Sequence, residues 1–84
     1  MGQREKLIER LKSKPKDFTF QETETLLGYF GYKKISGGKT GGSRIAFANN
    51  EDDYIRIHKP HPRNNLKPYQ VTNLIYDLVE RGLI

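Results

Sequence analysis

Residues 44–58 have the sequence RIAFANNEDDYIRIH, and this stretch decides the fold. A large apolar residue stands at every second position on both sides of the polar turn 49–53, namely at Ile45, Phe47, Ile55 and Ile57. Strict alternation of this kind is typical of strands that bury one face and expose the other. The stretch therefore predicts a hairpin of strands 44–48 and 54–58 with one apolar and one polar face.

Two helices are predicted before the hairpin. Residues 2–13 place apolar side chains at helical spacing among charged ones, at Leu7, Ile8 and Leu11. A second helix is predicted over about residues 20–30. Thr19 and Glu22 have the spacing of a capping box at its start, and Gly31 stands where a left-handed residue would end it.

A third helix follows the hairpin, beginning near Pro68 and ending at Gly82. One side of this helix is predicted to carry Tyr69, Val71, Leu74, Ile75, Leu78 and Val79. With a short strand at residues 32–35, the predicted order is helix, helix, strand, strand, strand, helix. This order favours an α+β fold, a two-layer α/β sandwich in which the last two helices cover the apolar face of a three-stranded antiparallel sheet. Residues 1–84 then form a single domain, with residues 1–16 as an N-terminal helical extension.

Composition narrows the function. The 84 residues include 15 Lys or Arg and 10 Asp or Glu, a formal net charge of +5, which favours a polyanionic partner such as RNA. The absence of cysteine excludes disulfides and thiol catalysis. The sequence shows neither a membrane span nor a secretory signal, so we expect a cytoplasmic protein without a membrane partner.

The hairpin register brings two candidate catalytic residues together. If Phe47 pairs with Ile55 on the apolar face, Arg44 lies directly opposite His58 on the polar face, with β-carbons about 5 Å apart. RNA can be cleaved by its own 2′-hydroxyl when one group takes a proton, another donates one and a cation offsets charge on the phosphoryl group. Histidine and arginine can perform these roles, so the sequence predicts RNA cleavage without a metal.

Other residues are predicted to contact RNA: Lys39, Ser43, Tyr54, Arg56, Lys59 and Arg63. Tyr54 is the stacking candidate because it falls on the polar face, whereas packing or snorkelling explains the tyrosines on the helices. His61 is a second catalytic candidate, in a segment that two prolines make rigid. Neither a metal site nor a small-molecule cofactor is expected, since two histidines are too few ligands for zinc.

Three segments resemble the HicA family of toxin–antitoxin RNA endonucleases: residues 41–47 (GGSRIAF), 57–62 (IHKPHP) and 66–68 (LKP). The similarity covers about residues 19–82. It implies a small fold like the double-stranded-RNA-binding domain, an endoribonuclease (mRNA interferase) activity and a HicB-like antitoxin protein as partner.

The resemblance also assigns site residues, with one departure. The family has its catalytic histidine at the position of Arg44. We therefore expect His58 to act as general base or acid, with Arg44 stabilising the phosphate and Ser43 orienting it. His61 matches a family position and competes with His58 for this role.

Two further functions are open at this point. Arginine in place of the family histidine is compatible with a catalytically inactive RNA-binding module. The other possible function is that of a protein-interaction module, in which the open sheet face or an edge strand binds a partner chain. Salt-sensitive RNA binding without cleavage would indicate the first, and tight partner binding without RNA affinity the second.

Overall fold

A computed structural model of the chain describes residues 2–35, 44–59 and 64–84. Its elements are α1 (Gln3–Lys12), α2 (Phe20–Tyr29), β1 (Lys33–Ile35), β2 (Arg44–Ala48), β3 (Tyr54–His58) and α3 (Pro68–Glu80). The three strands form one antiparallel sheet in the order β1-β2-β3. The predicted α+β class and element order are confirmed, including the N-terminal helix.

The helix ends follow the predicted signals. The Thr19 hydroxyl accepts a hydrogen bond from the Glu22 amide at 3.1 Å, and Glu22 Oε1 accepts one from the Thr19 amide at 2.9 Å. Gly31 has a φ of +88°, a left-handed conformation that side chains with a β-carbon rarely adopt. α2 therefore begins and ends at positions that the local sequence specifies.

The hairpin turn is ordered by the side chain of its first residue. Asn49 Oδ1 accepts hydrogen bonds from the amides of Glu51 at 2.9 Å and of Asp53 at 3.0 Å. An asparagine that satisfies later backbone amides in this way favours a tight turn. The turn fixes the register of β2 against β3, and this register is the predicted one.

One hydrophobic core lies between the helices and one face of the sheet. Its buried members come from all three helices, from β2 and β3 and from the segments between elements: Leu11, Phe18, Phe20, Leu26, Leu27, Tyr32, Phe47, Ile55, Ile57, Leu66, Val71, Leu74 and Leu78. Leu11 of α1 is fully buried in this core. The first helix is thus an integral part of the domain, since its removal would expose Leu11's neighbours.

Phe18 and Leu66 enter the core through a contact between two connecting segments. The Leu66 amide donates to the Phe18 carbonyl at 2.8 Å, and the Phe20 amide donates to the Asn64 carbonyl at 2.8 Å. These bonds hold the start of α2 beside the start of α3. The sequence gives no periodic signal for either residue, because each lies outside a regular element.

Two residues assigned to the apolar side of the last helix lie elsewhere. Tyr69 is 60% exposed and Val79 is 50% exposed, whereas Val71, Leu74 and Leu78 are buried. At 100° per residue Tyr69 projects from the side of α3 opposite Leu78, and Val79 lies beyond the edge of the buried stripe. The prediction that these two residues share one side of the helix with Leu74 and Leu78 is wrong.

Candidate nucleic-acid interface

The face of the sheet that the helices leave uncovered, called here the open face, is set by strand alternation. In β3 the exposed residues Tyr54, Arg56 and His58 alternate with buried isoleucines. The register then assigns the remaining open-face positions: Lys33 and Ile35 on β1, and Arg44, Ala46 and Ala48 on β2. None of these eight positions carries an acidic residue.

Arg44 and His58 occupy directly opposed positions on neighbouring strands. Ala46 stands opposite Arg56 in the same register. Because cross-strand neighbours have β-carbons about 5 Å apart, one phosphate group can reach residues on both strands at the Arg44–His58 end of the sheet. The backbone therefore provides the juxtaposition on which the sequence hypothesis depends.

Small residues on the central strand make the open face shallowly concave. Ala46 and Ala48 lie on β2, the central strand, between longer side chains on β1 and β3. On the β3 side the Arg56 guanidinium lies over the Tyr54 ring, with its carbon 5.6 Å from the ring centre. Guanidinium groups and aromatic rings are both surfaces on which an unpaired nucleobase can stack.

Lys33 and Ile35 belong to this face, and the sequence hypothesis missed them. Both are exposed, while the intervening Lys34 pairs with Glu24 of α2, with Nζ 3.0 Å from Oε2. β1 has only three residues, two of them lysines, so its sequence shows no clear alternation of apolar and polar positions. Which of its side chains lie on the open face becomes evident only from its pairing with Ala46 and Ala48.

Lys59 does not join the open face. Its ammonium lies 5.9 Å from the centre of the Phe20 ring, at the start of α2 and thus on the helix side of the sheet. Alternation explains this placement, since Lys59 follows the open-face residue His58. The other predicted RNA contacts Lys39, Ser43 and Arg63, the candidate His61 and the side chain of Arg44 lie outside the described residues.

The Asp53 carboxylate, just before β3, has a cationic partner. Asp53 accepts hydrogen bonds from Arg81 Nε at 2.6 Å and from the Tyr32 hydroxyl. The Arg81 guanidinium, and then the Tyr32 hydroxyl, lower the pKa of Asp53 below its usual range. Burial, aided by the neighbouring carboxylate, raises the pKa of Tyr32. The Asp53 carboxylate thus stays charged, and the Arg81 guanidinium compensates its charge.

Within the described part of the chain, no group of three or more His, Asp or Glu side chains is arranged to hold a metal ion. Across residues 2–35, 44–59 and 64–84, no helix is long and apolar enough to span a membrane. No protein-family model, characterised protein or solved structure matches this chain.

Proposed function

We propose that this protein binds RNA on its open face. The observation that carries the proposal is the charge of that face, where the charged positions Lys33, Arg44 and Arg56 are all cationic. Cations aligned on a surface bind the phosphate backbone and release its counterions. The Tyr54–Arg56 cation–π pair lies within the same face and supplies two groups on which an unpaired base can stack.

Cleavage of the bound RNA is the second part of the proposal. A phosphate between Arg44 and His58 would have a cation on one side and a proton-transfer group on the other. In this mechanism the 2′-hydroxyl loses its proton and attacks the adjacent phosphorus, the bond to the 5′-oxygen breaks, and that oxygen gains a proton. The products are a 2′,3′-cyclic phosphate and a 5′-hydroxyl, formed without a metal.

This activity corresponds to the toxin of a toxin–antitoxin system that cleaves mRNA. The HicA-like segments support it, and they extend the proposal to a HicB-like antitoxin that covers the open face. His58 is our preferred general base or acid, and His61 is the competing candidate.

RNA binding is tested with two adjacent lysines that face opposite ways. Lys33→Ala removes an open-face cation, whereas Lys34→Ala removes a cation that pairs with Glu24 on the helix side. For single-stranded RNA, log K falls as log salt rises, and losing one phosphate contact makes this negative slope shallower by about 0.7. We expect this change for Lys33→Ala alone, measured by fluorescence anisotropy across a salt series. Equal effects of the two substitutions would refute binding at the open face.

Cleavage is tested with end-labelled RNA in EDTA, using wild type, Arg44→Ala, His58→Ala and His61→Ala. We expect products with 2′,3′-cyclic phosphate ends, abolished in one histidine variant that still binds RNA. Intact RNA with salt-sensitive binding would identify a catalytically inactive RNA-binding module. Absence of RNA binding, together with tight binding of an antitoxin-like chain, would identify a protein-interaction module.

A further inference from the structure

A pocket of about 200 Å³ lies between β3 and α3, and we call it the β3–α3 pocket. Its apolar floor is formed by Ile57, Leu66 and Leu74, which are at most 9% exposed. Drug-sized ligands occupy pockets of roughly 300–1,000 Å³, so this one suits a single flat ring system. Arg56 and His58 line it too, so the pocket adjoins the open face along β3.

The α3 side of the pocket carries polar groups with complementary hydrogen-bonding capacity. Asn73 offers an amide, and no hydrogen bond within the described residues engages it. Asp77 offers a carboxylate whose nearest cation, Arg81, has Nη1 3.8 Å from Oδ1, longer than a hydrogen bond. Tyr69, 60% exposed, lines the same wall and can cover one side of a bound ring.

Gln70 makes the wall between helix and strand rigid. Its Nε2 donates to the His58 carbonyl at 2.7 Å, and its Oε1 accepts from the Lys67 amide at 2.9 Å. Gln70 is 8% exposed and both ends of its amide are engaged. The pocket is therefore preformed, which lowers the entropic cost of binding.

The free edge of β3 adds backbone groups to the pocket. β3 is an edge strand of the sheet. Its Tyr54 carbonyl accepts a hydrogen bond from Arg81 at 3.2 Å, and its His58 carbonyl accepts the one from Gln70. Both donors lie outside the sheet. Because backbone direction repeats every second residue, the amide and carbonyl of Arg56 face the same way between them. They lie at the pocket wall, midway between the two side-chain contacts.

We propose that the β3–α3 pocket holds one unpaired guanine base of the bound RNA. A carboxylate accepts two hydrogen bonds side by side, which matches the N1–H and N2–H donors of guanine, and the Asn73 amide can donate to the guanine O6. Adenine and the pyrimidines do not present two adjacent donors to Asp77. The base enters over the β3 edge while its phosphate stays with Arg56 and His58 on the open face.

This assignment rests on the proposed RNA binding, and its test separates the two. The probes are uridine oligonucleotides with one central guanosine, inosine or adenosine, 2′-O-methylated throughout so that they cannot be cleaved. A bidentate contact discriminates between bases by about 5- to 150-fold, so we expect guanosine to bind more tightly than adenosine by that factor. Inosine lacks the 2-amino group and should lose about ten-fold, as expected for one hydrogen bond to a charged group.

The matched variants are Asp77→Asn and Glu80→Gln, which remove the same charge from the same helix. Only Asp77 lines the pocket. We expect Asp77→Asn to abolish the preference for guanosine over inosine and Glu80→Gln to retain it, with circular dichroism confirming that both variants fold. Equal affinity of wild type for the three probes, with salt-sensitive binding, would refute the guanine pocket and leave RNA binding intact. Failure to bind any probe would refute both proposals.

Discussion

Replacing Leu11 by alanine tests whether α1 belongs to the hydrophobic core. Leu11 is fully buried against core residues, so the substitution removes its transfer free energy and leaves a cavity. Leucine-to-alanine substitutions at such sites cost about 2–5 kcal/mol, and we expect about 3 kcal/mol here. For an 84-residue chain the total free energy of unfolding is about 4–13 kcal/mol, so this loss is a large fraction of it.

The assay is urea unfolding followed by circular dichroism, with thermal unfolding as a second measurement. A loss of this size lowers Tm by about 12–24 °C in a domain of this length. Lys12→Ala is the matched control, because Lys12 is the exposed neighbour in the same helix and its change should stay within about 0.5 kcal/mol. A loss below about 1 kcal/mol for Leu11→Ala would show that α1 is a detachable extension.

Three further predictions concern stability. Arg81 lowers the pKa of Asp53 in the folded protein, so their pairing stabilises the fold above the usual carboxyl pKa, and this stabilisation is lost as pH falls through the pKa of the folded state. Asp53→Asn should therefore flatten the acid side of a plot of Tm against pH. An unchanged plot would refute this. Thr19→Ala should cost about 1 kcal/mol in urea unfolding through loss of the cap, whereas no cost would mean that solvent replaces it. Gly28→Ala lies in a helix with open space at the added β-carbon and should raise the free energy of unfolding by about 0.5–1 kcal/mol. Gly31→Ala, at φ +88°, should lower it by about 1 kcal/mol. Effects of the same sign would contradict this reasoning about the backbone.

The contribution of the helix-terminal ion pairs differs from that of the core. Arg10 Nε donates to Glu22 Oε2 at 2.7 Å and Arg10 Nη2 to Asp17 Oδ1 at 3.1 Å, which joins α1 to the start of α2. The Arg10 guanidinium lowers the pKa of Glu22. These groups are partly solvent-exposed, so they orient α1 more than they stabilise it.

Much of the fold could be predicted from local sequence because its signals are short-range. The alternation around Phe47 and Ile55 fixed the hairpin register, since a one-residue slip would move every apolar side chain to solvent. The Thr19–Glu22 pair and Gly31 located the ends of α2, because capping and left-handed backbone depend on neighbours within a few residues.

The hairpin register made one part of the candidate site predictable from the sequence, and the remaining part depends on long-range packing. The opposition of Arg44 and His58 follows from the hairpin alone. The facing of Lys33 does not, because it depends on pairing with a strand that lies eleven or more residues away. The exposure of Tyr69 could not be predicted from the sequence either, because a tyrosine in a helical pattern can be either buried or exposed.

The sequence by itself determined the element types, their order, the hairpin register and the cationic character of one sheet face. Only the tertiary structure decided that Phe18 and Leu66 meet in the core, that Lys59 lies beside Phe20, and that Asn73 and Asp77 border a pocket with β3. The physical reason is range: hydrogen bonds and side-chain periodicity act between near neighbours along the chain. Contacts between distant segments depend on how all the elements pack at once.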